Sequence, residues 1–400
     1  MLRLKLRFVA TQMHTPYQPI PEKSWMPALT GVRFFLALWV LLFHCCEEWQ
    51  DYPLLFALFS KGYVAVSGFF VLSGMVLVHS NANKLHGPGA VKRFFQARFA
   101  RLYPMYVVSI VLALPLFFWY QYQTNAAYLL TVPVVTLVTL LGIQSWYRGW
   151  VDALNPPSWS LSVEAFFYSV FPFLNKVFLR LKPRFVFILL LALALFNIFL
   201  INRFIDASTK NDAFNSFIHP SVFPLFHLAT FIMGMCFGYL GFVHGRMQYT
   251  GGWVHLALPI LLLMVFCMNL PQLSFVSINS GGYAVLFGVI FLMLAQPRHM
   301  LAKFLSLKWI VLLGESSYAL YLLHIPVRTY LTLLLQKFQI TVAAYPHMFL
   351  FIYAVVAVAV SVICFLYIER PLTKLLRKWL WGGAHNRMPV LQPYSVLPVK

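Results

Sequence analysis

The sequence predicts an all-α polytopic membrane protein of about ten transmembrane helices, with both the N- and C-termini cytoplasmic. Three observations carry that prediction. The 400 residues are 61% hydrophobic and only 10% charged, with a mean hydropathy of +0.76, which is more apolar side chain than one water-soluble core can hide. Apolar runs recur at about 20 residues, the length that crosses a hydrocarbon layer. The basic residues are segregated between those runs in a way that orients them.

Residues 1–28 are polar and basic and lack a compact apolar region ending in a small-residue cleavage site, so they read as a retained cytoplasmic tail rather than a signal peptide. Spans then follow near 29–48, 62–80, 104–121, 163–179, 185–202, 222–242, 253–269, 279–296, 309–333 and 347–368. With the N-terminus inside, the inner segments hold 23 Lys and Arg residues and the outer loops 5. The net charge of +20 is therefore a topology signal and does not point to nucleic acid. One run departs from this scheme. Residues 128–145, YLLTVPVVTLVTLLGIQS, are long enough to cross, yet counting them would turn KVFLRLKPR (176–184) and KLLRK (374–378) outward. They are expected to be re-entrant or surface-lying on the outer side, with Pro133 and Gly142 interrupting the helix. Residues 29–378 form one transmembrane domain without internal repeats, and 379–400 read as a disordered cytoplasmic tail. Cys45, Cys46, Cys236, Cys267 and Cys364 all fall in apolar runs, so they read as packing residues; neither a disulfide framework nor a metal site is expected.

The first span carries two polar groups, Arg33 and His44, in RFFLALWVLLFHC. Eleven residues are close to three helical turns, so both lie on one face, about 16 Å apart along the axis. Snorkelling explains an arginine near the inner end, and a carbonyl-bonded interfacial histidine is ordinary near the outer one. Four other stretches bear on the choice. In KRFFQARFARLYPMY, Lys92 and Arg93 suffice as inner anchors, whereas Arg98 and Arg101, at i and i+3, share a face suited to a phosphorylated ligand. In NPPSWSLSVEAFFYSVFPFL, Ser160 and Ser162 are candidate N-caps. Glu164 is then expected in the first helical turn, where the dipole favours an acid, at the outer depth of His44 and sharing a face with Tyr168. GYVAVSGFFVLSGMVL and GESSYALYLLHIPV, the latter carrying Tyr318 and His324, have glycines and serines that permit close helix packing. For His324 alone, a polar packing role is the simpler reading.

Taken in order, RFFLALWVLLFH, FFVLSG, RFARLYP, PSWSLSVEAFFY, SYALYLLHIPV and IERPL resemble the integral-membrane acyltransferase-3 family, bacterial membrane-bound O-acyltransferases that modify glycans, over residues 28–378. One departure is visible. Many members have Gly-Val-Asp before the Phe-Phe, where this chain has Ala65, Val66, Ser67 and then Gly68, so no role of that aspartate passes to Ser67. The resemblance implies about ten helices around a central pore in the bacterial cytoplasmic (inner) membrane. It implies acyl-CoA, by default acetyl-CoA, entering from the cytoplasm and a glycan or lipid-linked saccharide acceptor reached from the other side. It also implies that Arg33, His44, Arg98 and Arg101 are needed.

On that layout the phosphates of the donor sit among Arg33, Arg98 and Arg101, and the pantetheine arm runs along the helix towards His44. His44 is the expected general base, with Glu164 orienting or charge-stabilising its ring. Ser160, Ser162 or backbone N–H groups at the same helix start are candidate oxyanion donors, and Tyr168, Tyr318 and His324 are candidate oxyanion or acceptor-site residues. Direct transfer and a covalent acyl-histidine both remain open. A transporter or flippase for a lipid-linked saccharide is the alternative, since Arg33, His44 and Arg328 also suit a polar path, although no internal repeat accompanies them. The sequence names neither the acceptor sugar nor the oligomeric state.

Overall fold

A computed structural model describes residues 26–46, 51–124, 126–151, 154–197, 217–219, 221–245, 257–263, 283–296, 300–340 and 346–381. Among them there is no strand. In chain order the helices are α1 (Pro27–Phe43), α2 (Pro53–Phe59), α3 (Val64–Asn81), α4 (Ala90–Thr124), α5 (Val132–Leu140), α6 (Arg148–Val151), α7 (Trp159–Phe178), α8 (Pro183–Phe196), α9 (Pro224–Gly238), α10 (Ala284–Leu294), α11 (Met300–Leu305), α12 (Lys308–Glu315), α13 (Ser317–Lys337), α14 (Pro346–Cys364) and α15 (Arg370–Trp381). Proline opens α1, α2, α8, α9 and α14, where its missing N–H costs nothing. Five helical stretches among the described residues are long and apolar enough to cross a membrane: Pro53–Asn81, Ala90–Gln123, Pro224–Val243, Ser317–Lys337 and Pro346–Trp381. The chain is therefore a multi-pass membrane protein.

α3 is the buried centre, with 13 of its 18 residues buried, and its closest partner is α9. Gly74 of α3 lies against the backbone of Phe231, and Gly234 of α9 lies against the backbone of Val71. A side chain at either glycine would push the two helices apart, which is why small residues sit at this crossing. Phe167 of α7 stacks on Phe231 at 4.5 Å between ring centres and fills the space beside it. At one end of α3, Asn175 Nδ2 donates to the Ala82 carbonyl at 3.1 Å. Its Oδ1 accepts from the Tyr239 hydroxyl at 2.6 Å, so one amide ties three segments together.

The structure corrects several boundaries. α1 ends at Phe43, with His44 as its C-cap. α4 begins at Ala90, so the basic KRFFQARFAR and the apolar crossing form one 35-residue helix that carries Pro104 and Pro115 inside it. The span expected at 309–333 is broken at Ser316 into α12 and α13. Two hydroxyls bond back into the preceding turn there: Ser316 Oγ donates to the Leu313 carbonyl at 3.0 Å and Ser317 Oγ to the Gly314 carbonyl at 2.7 Å. The 128–145 run holds a nine-residue α-helix, Val132–Leu140, that continues a 3₁₀ helix over Ala126–Thr131. Pro133 stands in its first turn, and Gly142, at φ +69°, follows its end. Residues 1–25, 382–400 and most of the span placed at 253–269 lie outside the described residues.

Candidate active site

Helices α1, α4, α12 and α15 and the π-helical segment before α15 bring the charged residues together at one end of the bundle. α1 meets α11 and α12 at backbone distance: Gly31 lies on the Leu305 carbonyl of α11, and Gly314 of α12 lies on the Thr30 carbonyl. That approach places Glu315 beside the turn of α1 that carries Arg33. On the other side, the Tyr318 hydroxyl donates to the Leu102 carbonyl at 2.9 Å and fixes the start of α13 against α4, next to Arg101. The charges of Arg101, Arg370 and Arg33 all act on the Glu315 carboxylate. Arg101 and Arg33 act likewise on Glu369, which lies in a π-helical segment, Phe365–Glu369, between α14 and α15. Both carboxylates are buried, at 4% and 3% exposure. Glu315 Oε1 and Glu369 Oε2 have no hydrogen-bond partner among the described residues. Arg98 sits one turn before Arg101, its guanidinium 5.6 Å from the Phe94 ring centre and 5.9 Å from that of Tyr168. Its Nε is buried and has no hydrogen-bond partner among the described residues. Arg33 and Arg101 thus share Glu315 and Glu369, and Arg98 and Arg101 share Tyr168. The two acids among them were missed, although an acid inside the apolar stretches GESSY and IERPL is a legible signal.

Glu164 does not sit where a cap would. Pro156–Ser158 form a 3₁₀ turn and α7 starts at Trp159, which leaves Glu164 in the second turn. The helix dipole therefore does not account for it, since that effect fades within the first turn. Its Oε1 accepts from the Tyr168 hydroxyl, one turn along the same face, and from Ser73 Oγ of α3 at 3.3 Å. Arg98 and Arg101 reach Tyr168 electrostatically, and the carboxylate acts on Tyr318 and Tyr321. Among the described residues no hydrogen bond joins Glu164 to His44. Ser160 and Ser162 lie inside α7 and do not cap it. Ser160 Oγ donates to the Pro157 carbonyl at 3.1 Å and meets the Tyr321 hydroxyl, while Ser162 Oγ accepts from the Ser145 N–H at 3.4 Å.

The ring beside His44 is His324. His324 Nε2 lies 3.3 Å from His44 Nδ1, with ring centres 4.9 Å apart. His44 Nδ1 also lies 2.9 Å from the Val40 carbonyl, and His324 Nδ1 lies 2.7 Å from the Tyr321 carbonyl. Arg328 Nη1 donates to the His44 carbonyl at 2.6 Å and holds the end of α1 against α13. Pro326 explains how the NPPSWS stretch docks here. Lacking an N–H, it leaves the Leu322 carbonyl without its helical partner, and Asn155 Nδ2 supplies the missing donor at 2.9 Å. Tyr318, Tyr321 and His324 thus form one line along α13, every third residue, from the arginine end to the paired imidazoles.

The Acyltransferase domain family, acyltransferase-3, matches residues 26–366, and the chain belongs to that family. It is 22% identical over 374 residues to the O-acetyltransferase OatA of Staphylococcus aureus, covering 88% of this chain and 57% of that protein. The chain therefore spans little more than half the length of that relative. It is 33% identical over 171 residues to the acyltransferase MdmB of Streptomyces mycarofaciens, covering 41% of this chain and 43% of MdmB. No solved structure matches the chain.

Proposed function

We propose that the protein is a membrane-bound O-acyltransferase. It takes an acyl group, by default acetyl, from cytoplasmic acyl-CoA and delivers it to a hydroxyl of a cell-envelope or exported glycan, or of a lipid-linked saccharide. The observation that carries this reading is the separation of two chemistries along one interior line: a nest of arginines at one end and a pair of imidazoles at the other. Arg33, Arg98 and Arg101 hold the donor's phosphates, with Glu315 and Glu369 as buried acids within electrostatic reach of Arg101 and Arg33. The pantetheine arm extends past Tyr318, Tyr321 and the Glu164 carboxylate, so Glu164 lines the route.

His44 then acts as the general base. Its nitrogen takes the proton of the acceptor hydroxyl as that oxygen attacks the thioester carbonyl. The carbon–sulfur bond breaks, and the imidazolium returns the proton to the leaving thiolate, giving ester and free thiol. The orientation assumed is the one set by the basic residues, with the arginine end in the cytoplasm of a bacterial inner membrane.

The test is transfer by purified protein in sealed vesicles, with labelled acetyl-CoA on the arginine side and glycan on the other. Acetyl-CoA-dependent labelling of the glycan is expected. Movement of a lipid-linked saccharide without any acyl transfer would overturn the proposal in favour of a transporter.

A further inference from the structure

We infer that His324 is the positioning residue of this site. It accepts the Nδ1–H of His44 on its own Nε2 and so presents the bare Nε2 of His44 to the acceptor hydroxyl. The inference rests on the reading of His44 as the base and adds the group that acts through it. It follows from the two carbonyls beneath the rings. A carbonyl oxygen only accepts, so the 2.9 Å approach of His44 Nδ1 to the Val40 carbonyl puts a proton on that nitrogen. By the same rule, the 2.7 Å approach of His324 Nδ1 to the Tyr321 carbonyl puts a proton there. A neutral imidazole carries one N–H. His324 Nε2 is therefore an acceptor, and at 3.3 Å it takes the longer arm of a bifurcated bond in which the single His44 Nδ1–H is shared with the Val40 carbonyl at 2.9 Å, so His44 Nε2 keeps its lone pair.

The surroundings hold His324 in this role. It is 1% exposed. The Tyr353 hydroxyl donates to its carbonyl at 2.9 Å, and Asn155 secures the helix turn beside it through Leu322. Fixing a tautomer through the second ring nitrogen is what a carboxylate does for histidine in hydrolase triads; here the Glu164 carboxylate is engaged by Tyr168 and Ser73. When His44 Nε2 takes the acceptor proton, the Nδ1–H bond to His324 strengthens, because its donor has become charged. The ring is steadied by a neutral acceptor, beside the Arg328 guanidinium that already holds the His44 carbonyl.

The experiment compares His324→Phe, which keeps a ring and removes the acceptor, with His324→Gln, whose amide oxygen reaches the place of Nε2. His324→Phe is expected to lower kcat about a hundredfold, the scale of a misplaced reacting group, with the KM for acetyl-CoA unchanged; His324→Gln is expected to recover most of that loss. Nitrogen NMR of histidine-labelled wild-type protein, with His44 assigned by its loss in His44→Ala, is expected to show the proton on Nδ1 and a nitrogen–nitrogen coupling to His324 Nε2 across the hydrogen bond, which the Val40 carbonyl cannot produce; absence of that coupling overturns the inference even if His324→Phe does not fold. A fully active His324→Phe, a His324→Gln as impaired as His324→Phe, or a His44 proton on Nε2 would each overturn the inference. An active His44→Ala would instead overturn the base assignment beneath it.

Discussion

Replacing His44 by alanine isolates the chemistry from the fold, because the bond that holds this end of α1 is made by backbone. Arg328 donates to the carbonyl of residue 44, and alanine keeps that carbonyl. The ring itself contributes the contact with Val40, the contact with His324 and an edge-on packing against Phe43 at 5.0 Å between ring centres. Its removal leaves the buried Nε2 of His324 without that donor, which costs about 1–3 kcal/mol, so a lower melting temperature is expected while the protein still folds. Donor affinity is expected to be nearly unchanged, since the arginines lie about 16 Å away along the axis. Transfer to the acceptor is expected to fall by ~10²–10⁴-fold, the usual loss when an acid–base group is removed. At about 1.36 kcal/mol per tenfold, that is roughly 3–5 kcal/mol of activation free energy. The assay is acyl transfer from labelled acetyl-CoA to glycan, normalised to folded protein, with acetyl-CoA binding measured in parallel. Turnover within a few-fold of wild type would refute the base assignment; a proportional loss of donor binding would show that the ring belongs to the donor site instead.

Arg98→Ala is expected to weaken acetyl-CoA binding by about 1.5–3 kcal/mol, the worth of a charge-assisted hydrogen bond, and Arg98→Lys to recover only part of it because a point charge lacks the bidentate fork; isothermal calorimetry on detergent-purified protein checks both. Gly314→Ala puts a methyl group against the Thr30 carbonyl, and thermal unfolding is expected to show a loss of about 1–3 kcal/mol, accompanied by weaker donor binding as Glu315 moves off the arginines. For topology, Asn155, at 1% exposure, is a poor reporter, whereas Ile143 and Met300 are 42% and 88% exposed. A membrane-impermeant thiol reagent added outside is expected to label Ile143→Cys and to leave Met300→Cys untouched, and labelling of both from one side would refute the orientation.

Composition and hydropathy alone determined that the chain crosses a membrane, because lipid leaves a hydrophobic chain few alternatives to helices that satisfy their own backbone. Relations inside one helix were legible as well. The spacing of Arg33 and His44, the pairing of Glu164 with Tyr168, and the closeness of Arg98 to Arg101 follow from 3.6 residues per turn. Helix ends were less so: the start of α7 at Trp159 moved Glu164 out of the capping turn, and the ninth expected span is divided at Ser316. What only the tertiary structure decided are the relations between helices. His44 faces His324 across 280 residues of sequence, Asn155 answers the carbonyl freed by Pro326 across 167, and Glu315 and Glu369 gather on Arg33 and Arg101. The period of a helix fixes which residues share its own face, but not which neighbour that face meets. That choice was made by close backbone contacts at Gly31, Gly74, Gly234 and Gly314 and by bonds to individual carbonyls, whose effects on packing have no periodic trace in the sequence.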